Sequence, residues 1–261
     1  MLLPIIILIF IFGLILGSFL NCLVWRLHTG ESLWTRSHCP KCLNKIAWYD
    51  NIPVLSFILL RSRCRYCKQK IAWQYLLVEI FSALLFTAAF LNVFANTSVL
   101  VNPEQFILFL ARDWIFVFAL IVIFIFDAKW QEVPMLVVWP AIGAIAVLNL
   151  IIGFNPMIIS LSALVASAFF LLQYYATKKR GLGEGDIWIG LMLGLFFADL
   201  SQTVLAILAS YLIGSVISIY FLSSKRKELK SKIALGPFLV LGALVTLFFG
   251  EKLISWYFGL L

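Results

Sequence analysis

Gly181-Leu182-Gly183-Glu184-Gly185-Asp186 sets a glycine at every second position and ends on a carboxylate. With no Cβ in the way, the main chain of such a loop can approach a substrate closely. A second acid, Asp127, closes a long apolar run just ahead of Lys129 and Pro134. Taken alone, the glycine loop reads equally as a turn ending in a helix-capping aspartate. The two carboxylates together allow more. If their oxygens come within hydrogen-bond reach, both cannot ionise easily, and the pair holds one proton between them. The ionised partner can then take a proton from water. The protonated partner can polarise a peptide carbonyl and later protonate the leaving amine. That is aspartic-protease chemistry, and it requires no cofactor.

A second constellation lies upstream. Cys39-Pro40-Lys41-Cys42 and Cys64-Arg65-Tyr66-Cys67 are two Cys-x-x-Cys pairs in one basic segment, about two dozen residues apart. This spacing fits a closed tetrahedral zinc site of four thiolates. Four protein ligands leave no open position, so the metal would be structural. The fifth cysteine, Cys22, lies inside an apolar run, where a lone Cys is packing. Glu79 sits in the next apolar run. It either snorkels to the interface or pairs with a cationic group inside a helix bundle. Arg112 and Asp113 are neighbours, so each is expected to find its partner on another helix.

These groups need elements to position them. Of 261 residues, 63% are hydrophobic. Apolar runs of roughly 20 residues recur, which means membrane spans. Eight are expected, near 2–25, 74–96, 106–126, 134–153, 157–176, 186–199, 202–222 and 235–249. The first begins at residue 2 with no Lys or Arg before it, which reads as a retained anchor and not a signal peptide. The net charge of +8 comes from alternate loops: Arg26 to Lys70, Lys129, Lys178 to Arg180, and Lys225 to Lys232. Basic loops mark the cytoplasmic side, so the N-terminus is outside and both acids lie at the cytoplasmic edge. Nucleic-acid binding is a poor explanation of this charge. The fold expected is an all-α polytopic membrane protein with a small zinc segment between its first two spans. Its parts would be a first helix (1–27), the four-cysteine segment (28–72) and a seven-helix core (73–261). Gly13, Gly17 and Asn21 form a stripe for close helix packing, and Gly190 and Gly194 strip one face below Asp186, leaving room for another helix. No internal repeat is evident.

At this point the chain resembles the type IV prepilin peptidases, bifunctional leader peptidases and N-methyltransferases of pilus and type II secretion systems. The resemblance rests on an ordered set of motifs over almost the whole chain. They are Gly17-Ser18-Phe19-Leu20-Asn21 with Arg26-Leu27, the four cysteines, and Asp50-Asn51-Ile52-Pro53-Val54-Leu55-Ser56 between them. Tyr75 and Glu79 follow, then Asp127 to Pro134, Gly181 to Asp186, and Gly236-Pro237-Phe238. The resemblance implies an intramembrane aspartic protease that cuts prepilins and pseudopilins after the leader's glycine, in the bacterial inner membrane. It also implies methylation of the new N-terminal residue from S-adenosylmethionine. Carried over, Asp127 and Asp186 are the catalytic pair, with Gly181, Gly183 and Gly185 as the active-site loop. Cys39, Cys42, Cys64 and Cys67 are the zinc ligands, and Glu79 belongs to the substrate or methyl-donor region. The sequence departs from the family pattern at Trp188, Met135, Leu76 and His28. The nearest rival is a peptidase that only cleaves; more distant are a secondary transporter and an inactive zinc-stapled scaffold. A transporter would place its carboxylates near the bilayer midplane, often in repeated halves.

Overall fold

The structure, a computed structural model, describes residues 2–97, 102–178, 182–223 and 234–259. Gly181, the basic pair Lys179-Arg180 and the basic run from Lys225 to Lys232 lie outside the described residues. The rest is almost wholly helical, as an apolar chain in lipid requires. A helix satisfies its own N–H and C=O groups where no water can. In order the helices are α1 (Leu2–Thr29), α2 (Leu55–Leu59), α3 (Trp73–Asn96), α4 (Pro103–Trp130), α5 (Met135–Ile152), α6 (Pro156–Ala176), α7 (Glu184–Phe197), α8 (Leu200–Ser223) and α9 (Gly236–Phe258). All but α2 and α7 are long and apolar enough to cross a membrane, which makes seven such helices among the described residues. The eighth expected span is α7. Its 14 residues rise only about 21 Å, short of the ~30 Å hydrocarbon core.

The chain divides into two compact units, Met1–Asn92 and Val93–Leu261. In the first, α1 packs against α3 through the small-residue stripe. A Cβ on Gly13 would lie 2.6 Å from the Ala83 Cα, and one on Gly17 2.6 Å from the Glu79 Cα. One turn on, Asn21 donates to the Tyr75 carbonyl at 3.0 Å. The stripe is therefore a packing seam. At the end of α1 the buried Arg26 donates to the carbonyls of Leu33 and Thr35, each at 2.6 Å, and so fixes the path of the chain into the cysteine segment.

That segment corrects one expectation from the sequence, because it contains an internal repeat. Ser37, Cys39, Cys42, Lys45, Ile46, Ala47 and Trp48 recur 25 positions later as Ser62, Cys64, Cys67, Lys70, Ile71, Ala72 and Trp73. The main chain repeats with them. Cys39 N–H bonds the Asn44 carbonyl and Cys64 N–H that of Gln69; Leu43 N–H bonds the Cys39 carbonyl and Lys68 N–H that of Cys64. The turn residues Leu43 (φ 57°) and Lys68 (φ 56°) are both left-handed. Each copy ends in an isolated antiparallel bridge, His38 with Lys45 and Arg63 with Lys70. Each copy is thus a compact knuckle that presents two sulfurs. A repeat of such short length carries no hydropathy signal, and so it does not register in a reading aimed at spans.

The second unit is a helical bundle built around α7. Eight of its 14 residues are buried, as expected of a helix apolar on every side. Ile189, Met192, Leu193, Phe196 and Phe197 join side chains from α4, α5, α6, α8 and α9 in one core. Gly190 and Gly194 face α6. A Cβ on Gly194 would lie 2.4 Å from the Ser162 carbonyl oxygen, and one on Gly190 would meet the Phe170 ring at the same distance. The bare face below Asp186 is therefore occupied by α6 and is not open for an incoming helix.

Towards the other end of α4, Arg112 and Asp113 also differ from expectation. They pair with each other, through Nε at 3.1 Å and an Nη nitrogen at 2.9 Å to the same Asp113 oxygen. Arg112 also donates to Asn149 Oδ1 of α5 at 3.4 Å. Its guanidinium lies over the rings of Phe109, Phe154 and Phe196. Asn149 in turn donates to the Leu195 carbonyl of α7 at 2.6 Å. Adjacent positions point apart on a helix, but the long, flexible Arg stem bends back around it.

Candidate active site and metal centre

Asp127 lies one turn before the end of α4, where Gln131 (φ 56°) closes the helix by donating its N–H to the Asp127 carbonyl at 3.0 Å. The side chain is buried. Its Oδ2 accepts the main-chain N–H of Gly236 at 2.7 Å. Gly236 is the first residue of α9, so this N–H is one of the donors that a helix start leaves without an internal partner. The next residue, Pro237, has no N–H to offer. Asp127 thereby caps a helix 109 positions further along the chain. Glycine is required there. A Cβ on Gly236 would lie 2.5 Å from Asp127 Oδ2 and 2.9 Å from its Cγ.

Asp186 is held in a related way by its own helix. It occupies the third position of α7, behind the cap residue Gly183. Its Oδ2 accepts the Gly183 N–H at 3.0 Å. This is the returning half of a capping box. Asp186 is therefore not the cap residue that the bland sequence reading proposes. Gly185 is backed by Val133 of the α4–α5 connection; a Cβ there would lie 2.3 Å from a Val133 methyl. Glu184 accepts from the Tyr174 hydroxyl of α6 at 2.6 Å, which fixes the start of α7 from the other side.

Asp127 and Asp186 are thus brought to one end of the bundle, both buried and within range of each other's charge. Each has one oxygen gripped by a single main-chain N–H; among the described residues, the other oxygen of each makes no hydrogen bond. Two helix N-termini supply partial positive charge, and no cation pairs with either acid among the described residues. A shared proton and a bound water fit this arrangement. Tyr211 of α8 also lies within range of Asp186 and donates to Gln173 of α6 at 2.6 Å. Trp188, where the family pattern has Lys, packs on Trp139 at 5.2 Å between ring centroids. Met135 lies against the core.

The four cysteines of the repeated knuckles converge. Their sulfurs all lie within 4.8 Å of one another, with Cys39 to Cys67 at 3.9 Å and Cys42 to Cys64 at 4.0 Å. Tetrahedral zinc with Zn–S bonds of 2.3 Å needs sulfurs ~3.8 Å apart, so the donor set fits the metal. The Gln69 main chain favours the Cys67 thiolate, but desolvation and the three neighbouring sulfurs outweigh it and push this thiol up to about 11. A dication reverses that balance, since it binds thiolates and displaces their protons. Beside the cluster, Arg65 donates to both oxygens of Asp50, at 2.7 and 2.6 Å, and holds that carboxyl below its ordinary 3.8. Glu79 of α3 is buried, and its Oε2 accepts the Val54 N–H at 2.8 Å.

With these geometries in place the chain can be compared with known proteins. Residues 11–93 match the bacterial peptidase A24 N-terminal domain, and residues 114–219 match the type IV leader peptidase family. The chain belongs to the type IV leader peptidase family. Among its relatives are three proteins named prepilin leader peptidase/N-methyltransferase. The protein from Aeromonas salmonicida (strain A449) is 25% identical over 281 residues, covering 96% of this chain and 92% of the relative. That from Bacillus subtilis (strain 168) is 26% identical over 250 residues, covering 95% and 96%. That from Myxococcus xanthus (strain DK1622) is 32% identical over 194 residues, covering 72% and 55%. No solved structure matches the chain. For this leader peptidase, sequence reasoning missed Gly236 as the donor to Asp127, Val133 as the backing of Gly185, and Tyr211. The Gly-Pro pair at 236–237 is the one local signal for the first, since it marks a helix start with an unsatisfied N–H.

Proposed function

We propose that the protein is an aspartic endopeptidase that removes the leader of type IV prepilins and pseudopilins, with Asp127 and Asp186 as its catalytic pair. The observation that carries this is the pair itself. Two buried acids from distant helices are each gripped at a helix start, within range of each other's charge and with no cation paired to either among the described residues. In the reaction the ionised carboxylate takes a proton from water, and the resulting hydroxide adds to the scissile carbonyl carbon. The protonated carboxyl donates to the carbonyl oxygen, and the tetrahedral adduct collapses as a proton passes to the leaving amine. Gly183 holds Asp186 through its N–H and Gly185 lets Val133 close on the start of α7, so these glycines set the catalytic acid in place. Gly181 is assigned to the same active-site loop by its place in the sequence. By charge distribution the site faces the cytoplasm, from the bacterial inner membrane, with the N-terminus outside.

Zinc on Cys39, Cys42, Cys64 and Cys67 would staple a segment too short to hold itself together by apolar burial. The names of the relatives support a second activity, N-methylation of the new N-terminus from S-adenosylmethionine. Glu79 is buried without a cationic partner among the described residues, which suits a positively charged group such as that donor's sulfonium. When bound, the donor supplies the methyl group. Glu79 is proposed only as a positioning residue for it. The test is one incubation of the purified protein with a prepilin and labelled S-adenosylmethionine, read by mass spectrometry. Wild type should give truncated, methylated product, and Glu79→Gln truncated product with less methyl. Truncated product without methyl from wild type would leave the peptidase alone, and uncut prepilin would refute the peptidase reading. Zinc content of about one per chain, lost in Cys64→Ser, checks the metal.

A further inference from the structure

We propose that the cysteine segment carries a docking site for anionic phospholipid, with α2 lying in the membrane interface and a headgroup seated in the basic cavity beside it. The position of α2 is fixed from below. Its cap residue, Val54, donates to Glu79, which lies six residues, about 9 Å, inside α3. The buried Phe57 of α2 packs on Trp73, the first residue of α3, at 5.2 Å between ring centroids. A membrane-spanning helix thus holds α2 at the level where that helix emerges from lipid.

The outer face of α2 suits that level and not water. Leu55, Ile58 and Leu59 are 57%, 60% and 80% exposed on a helix of five residues. Large apolar side chains grouped on one face outside the spans mark an interaction surface. Directly beyond α2 the chain turns through Arg61 (φ 50°) and Ser62 (φ 57°) and forms a cavity of about 460 Å³. Arg61, Arg63, Arg65 and Lys68 line it together with Leu59, Leu60 and Cys64. Arg65 is neutralised by Asp50, whereas Arg61, Arg63 and Lys68 make no ion pair among the described residues. The segment from 28 to 72 holds eight Lys and Arg against Glu31 and Asp50. A bound four-thiolate zinc centre, formally −2, removes only part of that excess.

An apolar edge that enters the acyl boundary, followed at once by unpaired cations, is how an interfacial element recognises anionic lipid. The lipid needs no recruitment, because the chain crosses the bilayer immediately before and after this segment. The cavity wall shared by Leu59 and the cations joins the acyl and headgroup parts of one ligand. This site does not depend on the catalytic reading.

Hydrogen exchange of the full chain in nanodiscs tests it. Amides from 55 to 68 should exchange at least about tenfold more slowly in discs containing phosphatidylglycerol than in phosphatidylcholine alone. The triple variant Arg61→Gln, Arg63→Gln, Lys68→Gln should erase the difference while keeping its zinc. Equal exchange of wild type in the two lipids would overturn the proposal. So would equal protection by inorganic phosphate in phosphatidylcholine discs, which would assign the cavity to a soluble anion. If the triple variant loses its metal, wild type at about 1 M salt decides instead. Screening at that strength should abolish the lipid difference, and its persistence would refute a headgroup site.

Discussion

Helix α4 carries two buried acids, and the molecule treats them in opposite ways. Asp113 has its own cation: Arg112 wraps onto it, three aromatic rings cover the guanidinium, and Asn149 ties the pair to α5 and α7. Asp127, about 21 Å further along the same helix, has no cation among the described residues. One main-chain N–H holds one of its oxygens, and a second acid stands near it. A charge pair buried with its hydrogen bonds satisfied is a structural fixture that is costly to break. An acid left to share its burial with another acid is poised to exchange a proton. The lesson is that partner type, more than burial, separates scaffold from chemistry in a membrane helix.

The sharpest way to break this comparison is to neutralise each acid. Asp127→Asn and Asp186→Asn should each lower prepilin cleavage by 10²–10⁴-fold or more, with insertion and melting nearly unchanged. Asp113→Asn should reduce the amount of folded protein and leave cleavage per folded molecule intact. Next comes the cation. Arg112→Met strands Asp113 in the bundle and should cost ~3–5 kcal/mol in a thermal or denaturant melt, with much of it recovered in the double variant Arg112→Met, Asp113→Leu. A smaller effect is expected from Gly236→Ala. The new methyl would meet the Asp127 side chain, at 2.5 Å from Oδ2, 2.9 Å from Cγ and 3.1 Å from Cβ, so the carboxylate must shift while the helices on either side keep their packing. A displacement of that order costs ~10–100-fold in turnover, read as kcat at saturating prepilin.

The smallest effect comes from the exposed counterpart, Asp50 with Arg65. The folded carboxyl titrates below its ordinary 3.8. The pair therefore stabilises at pH values above that range, and its contribution is lost as pH falls through the folded value. Melts of wild type and Asp50→Asn should differ slightly at pH 7, less at high salt, and converge under strong acid. The two proteins share every other titration, so their difference isolates this group.

Much of this was legible in sequence, for physical reasons. Spans declare themselves through sustained apolar length, and four cysteines in paired spacing declare a common centre. The knuckle repeat was equally legible, because Cys-x-x-Cys-x-x-Lys-Ile-Ala-Trp occurs twice, yet the absence of a repeat was the expectation. Other features are tertiary by nature. The link from Gly236 to Asp127 crosses 109 positions and leaves no trace but a Gly-Pro helix start. The reach of Arg112 to its neighbour depends on a rotamer. The face of Gly190 and Gly194 announces a close neighbour without saying which one. The short α7 looks like a membrane span by composition and is revealed as a bundle core only by what surrounds it.

Both acids are gripped by amides and not by side chains, and an amide is common to every residue except proline. A compound aimed at the pair would therefore face a frame that ordinary point mutation cannot delete. Substitution at Gly236 only crowds the carboxylate it holds. A variant that escapes such a compound would have to change some other contact, because these two amides stay in place.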